Sequence, residues 1–161
     1  NTEGIFRVTG SDKNIRTLEL HMSQSNYLYL QTVTTPHTVT NYWKRVLAHM
    51  KEPLIPFNFY CHFEKIGEMT HENADHQEQS IRQVLRLNIK FLLNALPEIN
   101  FKTLKFHVEF FRDVVSHEPI NKMTAYNMAV TVGPNIFRPQ RNTKKDILNV
   151  GIFYDLLIKM I

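Results

Sequence analysis

Between Thr38 and Met50, the apolar residues Val39, Tyr42, Trp43, Val46, Leu47 and Met50 fall at i, i+3, i+4, i+7, i+8 and i+11. This is the period of an α-helix with one face turned to a core. The pattern returns along most of the chain. It picks out Ile15, Leu18 and Met22, then Ile81, Val84, Leu85, Ile89, Leu92, Leu93 and Leu96. It returns in Leu104, Val108, Phe111 and Val115, and in Ile147, Leu148, Phe153, Leu156, Leu157 and Met160. No stretch shows a convincing alternation of period two, so strands are not expected. Stripes of this kind must be buried against one another, which predicts an all-α fold, a single-domain helical bundle around a shared core.

Punctuation sets the expected boundaries. Ser11 is placed to cap a helix from about Asp12 to Ser25, with Asp12 in the first turn where an acid suits the helix dipole. Residues 26–37 read as irregular and contain Pro36. The Thr38–Met50 helix ends at Lys51-Glu52-Pro53, because proline lacks the N–H and restricts its predecessor. Pro56 opens a helix to about Ile66, and Gly67 is expected to stop it. Residues 68–76 read as a polar loop, followed by a helix from Gln77 to Leu96 that Pro97 ends. Asn100 is expected to cap a helix to about His117, with Phe110 and Val114 making a second buried face. A helix over Asn121–Val132 is expected to close at Gly133-Pro134, and a loop over 135–144 leads to the last helix. The count is seven helices, with no internal repeat and no low-complexity tract.

A chain of 161 residues with 43% hydrophobic content suits one domain over residues 1–161. Its one cysteine, Cys61, can form no internal disulfide, which fits a reducing, cytoplasmic compartment and a packed structural thiol. No apolar run approaches the ~20 residues of a membrane helix, and no signal peptide opens the chain. The chain begins at Asn1 without an initiator Met, so a fragment of a longer protein is expected. The net charge of +4 is compatible with an acidic protein partner or a membrane surface and is too weak to argue for nucleic acid. Arg138, Arg141, Lys144 and Lys145 read as a solvated basic loop.

Self-sufficient catalysis is poorly supported. The sequence has no phosphate-cradling glycine motif, no C-x-x-C and no H-E-x-x-H. Its eight histidines are scattered; His71 and His76, near Glu72 and Asp75, are spaced too loosely for a closed metal site. No metal and no cofactor are expected. Arg7 stands apart. It lies in Gly4-Ile5-Phe6-Arg7-Val8-Thr9-Gly10, where two apolar residues can anchor a loop and flanking glycines permit tight bends. A guanidinium held out from such a loop is a fixed charge with a planar fork suited to phosphate oxygens. Read alone, the segment favours the plainer reading, an arginine bound to nearby loop carbonyls or a surface acid.

Three segments, Thr2–Gly10, Lys51–Pro56 and Asn121–Ile136, together resemble the Rho GAP domain, the GTPase-activating domain that acts on Rho-family GTPases. Thr2-Glu3-Gly4-Ile5-Phe6-Arg7-Val8-Thr9-Gly10 resembles its opening motif, and Lys51-Glu52-Pro53-Leu54-Ile55-Pro56 resembles its Leu-Pro-Glu-Pro-Leu-Ile-Pro turn. The run from Asn121 to Ile136 is similar to its late helix-and-turn signature, and Leu96-Pro97-Glu98-Ile99-Asn100 fits a Leu-Pro-x-x-Asn link. The resemblance implies that Arg7 is an arginine finger supplied in trans to a GTP-bound Rho-family small GTPase. It implies that Gly4, Phe6 and Gly10 support the finger loop, that Lys44 holds that loop and meets the GTPase, and that Asn127 contacts the GTPase switch. Asn121 and Pro134 match positions of structural character. GTP and Mg would belong to the partner, and the domain would act as a monomer.

The sequence also departs from that pattern. An arginine is usual four residues after the lysine, where this chain has Ala48, and Met50-Lys51 replace the Leu-Pro of the turn. The long helix that precedes the first motif in the family has no counterpart and is expected to lie outside the fragment. Two other readings stand beside an active GAP: a GAP-like module that binds a GTPase without accelerating hydrolysis, and a helical adaptor that lays its basic loop on anionic lipid. Lys44 is also readable as a solvated lysine, and Asn127 as a buried amide tying nearby backbone.

Overall fold

The computed structural model describes residues 2–72, 79–141 and 150–160, and among these every regular element is helical. The helices are α1 (Asp12–Ser23), α2 (Pro36–His49), α3 (Phe57–Glu72), α4 (Gln79–Ala95) and α5 (Glu98–Ser116). They are followed by the short α6 (Glu118–Asn121), then α7 (Ala125–Ile136) and α8 (Val150–Met160). A 3-10 helix, Tyr27–Thr32, links α1 to α2. The all-α expectation holds. The segment read as irregular instead contains this 3-10 turn and the start of α2, where Pro36 takes the first helical position and its missing N–H costs nothing.

At the centre lies α7, which packs against α2, α5 and α8. Its sequence is apolar nearly all round, and Met128, Ala129, Val132, Gly133 and Ile136 are buried. A helix hydrophobic on every side belongs in a core. Helix α8 also packs against α3, while α1 lies on α2 and α4 on α3. Phe63, Leu104, Phe111, Leu156 and Leu157 are among the largest side chains sealed from solvent.

Two stop signals read from the sequence are overridden by packing. Gly67 does not end α3, which continues to Glu72, so the start of the expected 68–76 loop is helical. A Cβ at Gly67 would lie 2.0 Å from Ile152 Cγ2 and 3.3 Å from the Ile152 carbonyl oxygen. The glycine lets α3 and α8 approach. Likewise α7 runs through Gly133-Pro134 to Ile136, because the final turn buries Ile136 in the core. Conversely, the expected helix over Asn121–Val132 divides into α6 and α7. Lys122 takes a left-handed conformation at φ 58, and Thr124 restarts the helix by accepting a hydrogen bond from the Asn127 N–H at 2.9 Å.

Smaller corrections follow the same logic. Ser11 sits at the N-cap of α1, but its hydroxyl makes no capping bond. Asn100 caps nothing: α5 begins at Glu98, and the Asn100 amide donates to the Leu54 carbonyl at 2.9 Å. Cys61 is exposed, on the side of α3 away from Phe63. Val46 and Val84 are 45% and 50% exposed. Helix α4 leans mainly on α3; among its described side chains Leu85 and Ile89 are buried, with Leu92 and Leu93 partly buried against the core. Helix α2 instead turns Thr38, Asn41 and Leu47 inward. The second face of α5 is half realised, with Val114 buried and Phe110 exposed. Lys144, Lys145, Ile147, Leu148, Asp75 and His76 lie outside the described residues.

Candidate functional site

The segment Thr2–Gly10 forms a tight turn that passes between α2 and the α6–α7 corner. Gly4 at φ 65 and Phe6 at φ 68 both occupy the left-handed region. For glycine this costs little, but for phenylalanine it stores about 1–3 kcal/mol and persists only where the surroundings over-determine it. Within the turn, the Arg7 and Val8 N–H groups donate to the Gly4 carbonyl at 2.9 and 2.8 Å.

Ties on three sides supply that restraint. From one side, the Gly4 N–H donates to the carbonyl of Asn121 at 2.7 Å. That asparagine is buried; its amide donates to the Val114 carbonyl at 2.6 Å and its side-chain oxygen accepts from the Met123 N–H at 2.8 Å. From α2, the Lys44 ammonium donates to the Phe6 carbonyl at 2.7 Å, and Asn41 Nδ2 donates to the Val8 carbonyl at 3.1 Å. Beneath, the Phe6 ring is only 2% exposed. It meets Trp43 and Phe111 edge-on, with centroids 5.4 and 5.9 Å apart. At Gly10, a Cβ would come within 3.0 Å of the Thr38 N, so the loop crosses the start of α2 in direct backbone contact.

Arg7 is the exception. Its side chain is exposed, and among the described residues its guanidinium has no hydrogen bond or ion pair. The neighbouring backbone is fixed while the cation projects freely. Partial burial holds the Lys44 ammonium below the usual lysine range by disfavouring its charged form.

Asn127 sits on the opposite flank. It lies in the first turn of α7, where its half-buried amide reaches back to the Lys122 carbonyl at 3.3 Å. The corner that receives Gly4 is thus the corner that Asn127 grips, one peptide further on. Arg7, Lys44, Asn127, Gly4, Phe6 and Gly10 are therefore assembled around one loop. Lys122 and Tyr126 are exposed beside it. The arrangement offers a cationic fork on a rigid base, suited to an anion presented by another molecule. Among the described residues no three His, Cys, Asp or Glu side chains gather to hold a metal, and no helix is long and apolar enough to cross a membrane.

Sequence reasoning passed over two partners. Asn41 was an unremarked polar residue inside a helix, where asparagine is disfavoured unless it serves the backbone; that disfavour was the available signal. Arg138, read as solvated, instead donates to the carbonyls of both Ala48 and Met50 at the end of α2, and its guanidinium lies 6.0 Å from the Phe57 ring centre. Ala48 is the position where the resemblance implies an arginine; the guanidinium that reaches this stretch comes from Arg138. Behind it Pro53, Leu54, Ile55 and Pro56 are buried, and the Ile55 N–H donates to the Ile136 carbonyl at 3.3 Å.

Comparison with known proteins agrees with this arrangement. A family model of the RhoGAP domain matches residues 1–141. Rho GTPase-activating protein gacY of Dictyostelium discoideum is 27% identical over 99% of this chain, which covers 21% of that protein. Mouse Rho GTPase-activating protein 22 is 30% identical over 86% of this chain, which covers 18% of it. The chain thus spans about a fifth of the length of these relatives. Human Rho GTPase activating protein 15 superposes with a TM-score of 0.80 at 22% identity, over 99% of this chain and 71% of that one, which shows a shared fold.

Proposed function

The chain belongs to the RhoGAP domain family, and on that premise we propose that it stimulates GTP hydrolysis by a GTP-bound Rho-family GTPase through Arg7. The observation that carries the reading is the contrast within one loop. Gly4, Phe6 and Val8 are each tied through their backbone to other elements, while the Arg7 guanidinium has no partner among the described residues.

As the bond to the γ-phosphate breaks, negative charge spreads over the β- and γ-phosphate oxygens. An inserted guanidinium bridges two such oxygens in a plane and displaces water, an effect worth on the order of 10³–10⁵ in rate. A held loop matters because the backbone that carries the arginine has little ordering entropy left to lose, so only the side chain must still be fixed. Lys44 fixes the peptide before the finger, and Asn127 presents the rest of its amide to the switch region. GTP and Mg come with the partner, so the domain requires no cofactor or metal of its own. One copy suffices, since Arg7, Lys44 and Asn127 share a chain.

Ala48 favours a second reading, a module that binds the GTPase without accelerating it. Phosphate release from a panel of GTP-loaded Rho-type GTPases, with and without this chain, separates the two. Active stimulation predicts at least one member accelerated by orders of magnitude. Complex formation without acceleration of any member supports the binding module.

A further inference from the structure

We infer that His107 is a positioning residue for the arginine-bearing loop and acts on it through Trp43. The inference rests on Arg7 being the group that reaches the nucleotide. Trp43 Nε1 donates to His107 Nε2 at 2.8 Å, and His107 Nδ1 lies 2.7 Å from the Thr103 carbonyl. A carbonyl can only accept, so Nδ1 carries the hydrogen and Nε2 presents the lone pair that receives the indole N–H. Helix α5 thereby fixes the rotation of a ring on α2 through a two-bond relay.

That rotation matters because of what the ring touches. Trp43 stands edge-on to Phe6 at an interplanar angle of 80° and to Phe111 at 84°. Phe6 is the left-handed residue immediately before Arg7. It keeps that conformation only while its ring is held, and Trp43 forms one wall of its seat. Without an acceptor at position 107, the half-buried indole N–H would lose its partner on α5, so Trp43 would turn toward water or another acceptor. The wall would then move and Phe6 would relax. The aim of Arg7 would broaden, the effect passing from His107 through Trp43 and Phe6.

Substitution tests this with two independent readouts. His107→Leu removes the acceptor, His107→Gln offers an amide oxygen in its place, and Trp43→Phe keeps a ring while removing the donor. On the free domain, amide exchange at Arg7 and Val8, both bonded to the Gly4 carbonyl, is expected to quicken about tenfold in His107→Leu and to return near wild type in His107→Gln. The emission of Trp43, the single tryptophan of the chain, should shift in His107→Leu alone of the two. With a GTP-loaded Rho-type GTPase, the maximal hydrolysis rate should fall about tenfold while the half-saturating concentration moves less than twofold.

The double variant Trp43→Phe/His107→Leu should be no worse than the poorer single, since both break one relay. If His107→Leu melts too early to assay, Trp43→Phe carries the test with the same expected direction. Unchanged exchange at Arg7 and Val8 in a cooperatively folded His107→Leu or Trp43→Phe variant overturns the inference, as does a Gln variant no better than Leu. Faster exchange with hydrolysis untouched by both His107→Leu and Arg7→Ala would instead overturn the role given to Arg7.

Discussion

The Lys44 ammonium lies 2.7 Å from the carbonyl oxygen of Phe6, one peptide away from Arg7. The bond joins α2 to the loop at the point where that loop is most strained. A hydrogen bond from a charged donor is worth about 1.5–3 kcal/mol. Lys44→Met keeps the aliphatic stem and removes the donor. It should lower the maximal stimulated hydrolysis rate by about 10- to 100-fold, on the same energy scale. Single-turnover phosphate release across a range of domain concentrations measures this. A loss confined to half-saturation would place Lys44 in docking alone.

The same lysine has a pH signature. Burial lowers its pKa below the ordinary 10.5, so the folded state gives up this proton before the unfolded chain does. Between the lowered value and 10.5 the unfolded chain binds more protons, and this group's contribution to stability rises with pH across that window. Carbon-13 shifts of the Lys44 side chain should therefore titrate below those of the exposed lysines. Co-titration with them would contradict the desolvation seen here.

Gly67→Ala tests the contact between α3 and α8. The new Cβ would lie 2.0 Å from Ile152 Cγ2, a branched atom with little freedom to yield. Overpacking of this kind costs about 1–3 kcal/mol. Denaturant unfolding should show a loss in that range. A neutral or stabilising result would mean that α8 does not press against α3 at this point.

Arg138→Met removes both bonds to the Ala48 and Met50 carbonyls. The end of α2 should loosen, with a stability loss of about 2 kcal/mol and only partial rescue by Lys, which cannot fork. Unfolding midpoints of the two variants measure it. Equal midpoints for Arg and Met would return Arg138 to the solvated surface.

The helices were legible because apolar periodicity reports which face is buried. The segment around Arg7 stood out only with the motifs at Lys51–Pro56 and Asn121–Ile136 beside it, because glycines and apolar anchors around one cation also suit a structural arginine. What escaped was long-range. Gly67 and Gly133 looked like stops because sequence registers the missing side chain and not the helix that fills the space. Arg138 looked solvated because its acceptors lie far back in the chain, at Ala48 and Met50. Asn41 and His107 gain meaning only once α2 and α5 flank the Phe6 loop. Boundaries failed where a distant surface rewarded one more turn, as at Ile136.

Among these tests, single-turnover GTP hydrolysis by a responsive Rho-type GTPase with Arg7→Ala in place of the natural chain is the most direct. The variant should lose about 10³-fold or more of the stimulation, the scale of a supplied arginine, while still binding the GTP-loaded partner, because none of the bonds described for the loop uses the Arg7 side chain. Stimulation equal to that of the unaltered chain would contradict the account.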